Sequence, residues 1–377
     1  MFRYIRQRIV FAILALFIIS IFVFVMIYSF GPSPIHALAE QKFSDPKNTK
    51  PLEQIISSLE VQNGLRYGTV AEPGEKIPVL VLYFRYLKGI FVDHTFGFLI
   101  DSKNNPNPAA YKTMSQLFFN PLKYSLLITV PSFIFSSILG ITIGIFAGYN
   151  RGKWFDSSSN IFVLIFIGVP SFIIAPMVIS LSLRIGVPVQ IPRASENAPF
   201  SVLFVAYLPP IIVMSLGSLA GYVTYTRNQV ITVLTSNYVL IAKTKGLSST
   251  QIFFKYVLRN ISIPLFSLIF GSFLGLLSGS IVIERYWNVQ GTSQIIANSF
   301  PTGEFNVVMF STLFFAFIGL IAEIIVDLSF AILDPKITYA ARSKKNYWLF
   351  FKAYLERRKL AKDLLSKNNQ NLETKGV

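Results

Sequence analysis

The sequence predicts an all-α integral membrane protein with six transmembrane helices and a large insert after the first of them. Three observations carry this. Hydrophobic residues make up 53% of the chain and charged residues 14%, where a soluble domain carries about 25% charged residues. Six charge-poor runs are long enough to cross a bilayer, which takes ~20 apolar residues. The net charge of +16 is gathered in short segments beside those runs, so it is a topology signal rather than a nucleic-acid surface.

The first run covers 10–30 and follows Arg3, Arg6 and Arg8. A cleaved signal peptide would have an apolar region of about 7–15 residues and a small-residue cleavage site. This run is longer, so residues 1–30 read as a retained span with a cytoplasmic N-terminus. Residues 31–121 then change character. Prolines at 32, 34, 46, 51, 73, 78, 106 and 108 punctuate them, and charges of both signs appear, which marks an extracytoplasmic insert. Within it, 79–91 is apolar but interrupted by Arg85 and Lys88. It is too short to span and reads as an interfacial or packed helix. Five further runs at 124–149, 160–183, 201–226, 261–283 and 306–333 give a five-helix core over 122–335. A basic tail follows over 336–377.

Orientation comes from Lys and Arg near the span ends. Arg151 and Lys153 lie in one loop; Arg227, Lys243, Lys245, Lys255 and Arg259 lie in or beside another, 227–261. With the N-terminal arginines and the tail, these belong on the cytoplasmic side. The opposite short loops carry only Arg193 and Arg285, and the long first loop translocates largely regardless of charge. The expected location is therefore the cell membrane, multi-pass, with both termini cytoplasmic.

Glycines recur every four residues at Gly140, Gly144 and Gly148, and again at Gly271, Gly275 and Gly279. In lipid such stripes let helix backbones approach closely. Packing within the bundle is the plain reading and lining of a substrate path the sharper one. Pro170, Pro176, Pro209 and Pro210 are expected to kink or interrupt their helices.

The stretch 237–264 is amphipathic, basic and punctuated by glycine. Ser236 or Asn237 suits a helix N-cap, and Gly246 a left-handed helix stop. The intervening two turns set Tyr238, Ile241, Ala242 and Lys245 on one face by helical spacing. Ser248 and Gln251 have capping-box spacing for a second helix, and Pro264 suits the first turn of the following span. An ordinary amphipathic surface helix is the plain alternative.

These residues resemble the cytoplasmic loop signature of ABC-importer permeases. More narrowly, Tyr238, Val239, Ala242, Lys245, Gly246, Leu247 and Ser248, followed by Leu258, Arg259, Asn260 and Pro264, resemble the B-type subunit of bacterial oligopeptide and dipeptide permeases. Met1-Phe2-Arg3-Tyr4-Ile5 with Arg8, Gly168-Val169-Pro170-Ser171-Phe172, Tyr225-Thr226-Arg227, and Asp327 with Leu333-Asp334-Pro335-Lys336-Ile337 extend the likeness. There are departures. Leu240 stands where the signature has Glu, Tyr256 where a His is usual, and Trp287-Asn288-Val289-Gln290-Gly291 where the family has Trp-Pro-Gly.

The resemblance implies a type I ABC-importer permease fold and a transport subunit rather than an enzyme. Its partners would be a second, C-type permease subunit, two ABC ATPase subunits, an extracytoplasmic substrate-binding lipoprotein and membrane lipid, with no nucleic acid. ATP and Mg would sit on the ATPases and no cofactor on this chain. The ATPases would grip the loop through Tyr238, Ile241, Ala242, Lys245, Gly246, Leu247 and Ser248. Oligopeptides are the expected substrate, with dipeptides or nickel chelates as alternatives.

From the residues themselves, the chain has no phosphate-binding Gly-rich loop followed by Lys, so hydrolysis falls to a partner. Without cysteine there is no disulfide or thiolate chemistry. His36 and His94, both in the insert, have no paired ligand nearby in sequence, and neither a metal site nor a catalytic set is expected. Glu323 and Asp327, four apart in the last span, are intramembrane carboxylates and so functional candidates. They suit either a proton-coupled carrier or an ion pair with the basic loops. The tail mixes Trp348, Phe350, Phe351 and Tyr354 with Arg357, Arg358 and Lys359. It reads as a helix on the anionic inner leaflet, with an ATPase contact as the alternative.

Overall fold

The computed structural model describes residues 2–46, 48–192, 198–278, 281–333 and 347–373. Among the described residues five helices are long and apolar enough to cross a membrane uninterrupted, and a bent pair makes six if its two halves count as one span. Helix α1 (Phe2–Phe30) is the first, followed in the insert by α2 (Pro34–Phe43), α3 (Leu52–Gln62), the strands β1 (Arg66–Gly68) and β2 (Pro73–Lys76), and α4 (Val79–Phe91). The core comprises α5 (Met114–Tyr149), α6 (Trp154–Gly168), α7 (Ser171–Arg184), α8 (Phe200–Leu234), α9 (Asn237–Thr244), α10 (Ser249–Ile252), α11 (Leu258–Ser278), α12 (Ile281–Tyr286), α13 (Thr292–Thr302) and α14 (Phe305–Leu333). A last helix, α15 (Tyr347–Glu373), covers most of the tail.

The centre of the bundle is the α5–α8 pair. A Cβ placed on Gly140 would lie 2.5 Å from the Tyr222 Cβ, one on Gly144 2.7 Å from the Thr226 Cβ, and one on Gly148 2.7 Å from Val230. Three glycines on one helix thus receive three larger side chains on the other, with the same four-residue step. Hydrogen to methyl at any of them forces the backbones apart, which is how small residues set helix separation in lipid. The second stripe behaves differently. A Cβ on Gly271 or Gly275 meets nothing within 4 Å, so at these two positions α11 makes no close contact with the rest of the chain. Gly279 lies outside the described residues.

One expected break is present in the spans, and two other expectations need correction. The run 160–183 is two helices, α6 and α7, meeting at 102°. Pro170 has no N–H to continue the ladder and biases Val169 to extended backbone (φ −97°, ψ 113°). By contrast Pro209 and Pro210 lie buried inside an unbroken α8, because neighbouring helices tolerate the two lost bonds at carbonyls 205 and 206. Pro264 is interior to α11 rather than in its first turn. The helical path runs from α10 through a π-helical turn, Phe253–Val257, directly into that span.

The insert is built on the membrane core. The helix at 79–91 is a packed one: Tyr83 is fully buried and its hydroxyl shares a hydrogen bond of 2.7 Å with Ser20 of α1. Phe24 of α1 lies against both Tyr83 and Tyr86. Helices α2 and α3 close a small core of Ile35, Ala39, Ile55 and Leu59. Glu60 ties the β1–β2 hairpin to α3 through Arg66 at 2.8 Å and Lys76 at 3.1 Å. The loop after α4 is fastened to the core by Glu304, buried at the start of α14. Its carboxylate accepts from the Ile100 and Asp101 N–H groups and the Asn104 amide at 2.7–2.8 Å. Burial raises this carboxyl above its ordinary value, outweighing the three hydrogen bonds that lower it.

Candidate functional site

The α9–α10 segment is held at one end of the bundle, beside the C-terminus of α5 and the N-terminus of α6. Helix α8 carries it there by continuing to Leu234, and one ion pair fixes the junction. Arg227 donates from Nε and Nη2 to the two oxygens of Asp156, the latter at 2.8 Å. Asp156 also accepts the Gly152 N–H at 2.9 Å. The carboxylate side chain is 4% exposed and the guanidinium 20%. A planar fork on two oxygens fixes orientation as well as distance.

The C-terminal end of α9 is closed by a glycine turn. Gly246, at φ +76°, admits the left-handed turn that a side chain would strain. The Gly246 N–H reaches the Lys243 carbonyl at 2.9 Å and the Leu247 N–H the Ala242 carbonyl at 3.3 Å. Ser248 and Gln251 then form the capping box that their spacing predicts, with bonds of 3.0 and 3.3 Å in the two directions. At the other end Ser236 stands at the N-cap, but its hydroxyl donates back to the Val233 carbonyl and caps nothing in α9.

The two faces of α9 are unlike. Val239 and Ala242 are fully buried, packed into a cluster with Val230, Val233, Ile252, Val257, Ile261 and Leu265. Tyr238, Leu240, Ile241 and Lys245 are exposed, and the Tyr238 ring lies parallel to that of Tyr256 at 6.3 Å. Of the seven residues assigned to docking, six are exposed or half-buried; Ala242 is not. Its small side chain lets α9 approach α8 and α11 rather than enter a cleft on another protein. Periodicity alone missed this, because Val239 and Ala242, three apart, make the inward stripe. Asp156 was also missed as the partner of Arg227. The available signal was an acid in the first turn of a helix in an otherwise charge-poor run.

The remaining candidates are placed elsewhere. Asp327 pairs with Arg8 of α1 at 2.8 Å, so its cation comes from the first helix and not from the basic loops. Glu323 is exposed one turn away. His36 and His94 are exposed on the insert. The closing string from Leu333 onward runs into residues outside those described.

This geometry can be set beside known proteins. Residues 140–339 match the family model described as binding-protein-dependent transport system inner membrane component. The oligopeptide transport system permease protein OppB of Mycoplasma genitalium is 29% identical over 91% of this chain and 78% of its own length. The dipeptide transport system permease protein DppB of Lactococcus lactis is 27% identical over 89% of this chain and 99% of its own. The glutathione transport system permease protein GsiC of Escherichia coli K12 is 25% identical over 90% and 100% respectively. A family match over more than half of the sequence, on helices that span a membrane, makes the chain a member of the binding-protein-dependent transport system inner membrane component family.

Proposed function

We propose that this chain is one transmembrane subunit of an ATP-driven importer for oligopeptides, forming half of the translocation path. A second permease subunit completes the path, two ATPase subunits grip the docking helices of the pair, here the exposed face of α9, and an extracytoplasmic binding protein delivers the substrate. The observation that carries this is the mechanical linkage of α9. Its inner face is locked by Val239 and Ala242 into α8 and α11, and the helical path from α10 enters the α11 span without a break. A push on Tyr238, Ile241 or Lys245 therefore moves two spans, not a loop. Nucleotide and Mg act on the ATPases; this chain converts their closure into opening and closing of the path.

Oligopeptides are favoured over dipeptides because the first two relatives carry that substrate in their names. A proton-coupled carrier is the poorer reading, since Asp327 is engaged by Arg8. In the proposed orientation the α9–α10 end, with Arg151, Lys153 and Lys243, faces the cytoplasm, and the insert faces outward.

Co-expression with a sister permease and two ATPases tests the assignment. The assembled complex should hydrolyse ATP faster in the presence of binding protein and a peptide. Ile241→Asp should weaken ATPase association by about tenfold or more, as for a central interface anchor, while the permease still folds. Full association of the variant would remove α9 as the coupling element.

A further inference from the structure

At the end of the bundle away from α9, a cleft of about 960 Å³ opens between the loop at 103–111, the first turns of α5, and α13. Small-ligand pockets run to about 300–1,000 Å³, so this one has room for a short peptide. Its chemistry is unusual. Side-chain amides and two lysines, Lys103 and Lys123, line it, and no carboxylate among the described residues does.

Two of the amides are fixed from behind. Asn104 donates its NH2 to Glu304 at 2.8 Å. Gln294 donates its NH2 to the main-chain carbonyls of Glu284 and Val289 at 2.9 and 2.7 Å. With the Gln294 NH2 bonded twice and the Asn104 NH2 bonded to Glu304, the carbonyl oxygens of the two amides are left as acceptors among the residues that line the cleft. Lys103 and Lys123 have no carboxylate partner among the described residues; Lys123 instead lies over the Tyr124 ring at 4.9 Å. Of the nearby acids, Asp101 lies closest to Lys103 and accepts its main-chain N–H at 2.9 Å, with no ion pair to the ammonium among the described residues; two others are engaged elsewhere. Glu304 is taken by the loop it fastens, and Glu284 is fully buried and accepts from Ser125 at 2.7 Å.

Preset acceptors beside free cations match one kind of molecule. A peptide offers main-chain N–H donors whatever its sequence, and one terminal carboxylate. We propose that this cleft is a peptide-receiving subsite, in which Asn104 and Gln294 accept main-chain N–H groups while Lys103 and Lys123 take the terminal carboxylate. The proposal rests on the peptide reading above and adds to it a site on the permease itself. Side chains of the peptide are not read here, which suits a subsite that follows selection by another protein. A loop of a docked protein is the competing occupant, but a concave site of this volume favours the smaller one.

The test uses the importer assembled in lipid nanodiscs without its binding protein. The probes are trialanine with a free C-terminus and the same peptide as its C-terminal amide. Binding of the acid should exceed that of the amide by about tenfold, the effect of a charge-assisted pair. The double variant Lys103→Gln, Lys123→Gln should lose that preference, and Asn104→Asp should weaken both probes by placing an acid on the wall. An unchanged preference in the lysine variant overturns the subsite. So does a lysine variant that binds the acid and the amide each as wild type does while losing affinity for the binding protein. If peptides drive uptake by the complete importer and the lysines are indifferent, only the subsite falls. If no peptide supports binding, ATPase stimulation or uptake, the oligopeptide assignment falls with it.

Discussion

Single side chains decide how the helices of this permease meet. Gly144 faces the Val223 carbonyl and Thr226 across α5 and α8, and an added Cβ would sit 2.8 and 2.7 Å from them. Gly144→Ala should therefore destabilise the purified protein by about 1–3 kcal/mol through overpacking, read as a lower Tm in detergent. Gly271→Ala and Gly275→Ala, with nothing opposite them, should leave Tm unchanged in the isolated chain. The Arg227–Asp156 fork gives a second contrast. Asp156→Ala leaves a guanidinium without its partner at a mostly buried position and should cost about 3 kcal/mol. Arg227→Lys should recover only part of the function, because an ammonium cannot serve both oxygens. Glu304 supplies a pH dependence with a definite sign. Its folded carboxyl holds a proton more tightly than the ordinary value of 4.5, so the folded state binds more protons in the window above that value. Stability from this group is complete below 4.5 and is lost as pH rises through the raised value. The Tm of wild type should climb relative to that of Glu304→Gln as pH falls toward 4.5; parallel slopes would show that Glu304 is not the titrating group.

At the scale of elements, α9 separates two kinds of failure. Ala242→Asp buries an unpartnered carboxylate in the Val230–Leu265 cluster and should loosen the loop itself, detected as proteolytic cleavage between α9 and α10. Ile241→Asp changes only the exposed face and should leave cleavage as in wild type while ATPase association falls. Equal protease sensitivity of the two variants would contradict the inward and outward faces assigned here. The same helix shows what was legible beforehand. Gly246 and the Ser248–Gln251 pair announced their turn and cap because those conformations need those residue types locally. Which face of α9 is buried was not legible, since two turns carry too few residues for periodicity to choose between Val239–Ala242 and Tyr238–Ile241. The break between α6 and α7 was half visible: Pro170 marked the place, but only the packing partners of each half set a 102° bend. Pro209 and Pro210 looked like stronger breakers and are not, because a helix buried on its neighbours tolerates lost backbone bonds that an isolated one would not. The candidate cleft was invisible for a different reason, as it gathers Lys103, Lys123 and Gln294 from three separate segments.

Across the whole molecule, charge placement and helix order make one topology. Arg8, Arg151, Lys153, Arg227 and Lys243 collect at or near the α9 end, while the insert and the amide-lined cleft occupy the other. The chain has no cysteine, so a single introduced one reports its own position. Thr250→Cys beside the capping box and Thr69→Cys in the hairpin should react with a membrane-impermeant maleimide from opposite faces of oriented vesicles. Labelling from the same face would overturn the orientation. Helix α15 extends this logic to the tail. Phe350, Tyr354, Ala361 and Leu364 fall along one side of it at helical spacing with Arg357 among them, Lys352, Lys359 and Lys362 fall along another, and every residue at 350–362 is exposed. An aromatic stripe flanked by cations is the pattern of a helix lying at a lipid interface. A basic residue near an anionic surface contributes about 1 kcal/mol, so Arg357, Arg358 and Lys359 are the residues expected to carry such binding. A polarity-sensitive dye on Phe350→Cys should shift to shorter wavelength in nanodiscs containing phosphatidylglycerol and not in pure phosphatidylcholine. Replacing the three cations with Gln should abolish the shift. A shift that instead required added ATPase subunits, whatever the lipid, would make α15 a protein contact and end the membrane reading of the tail.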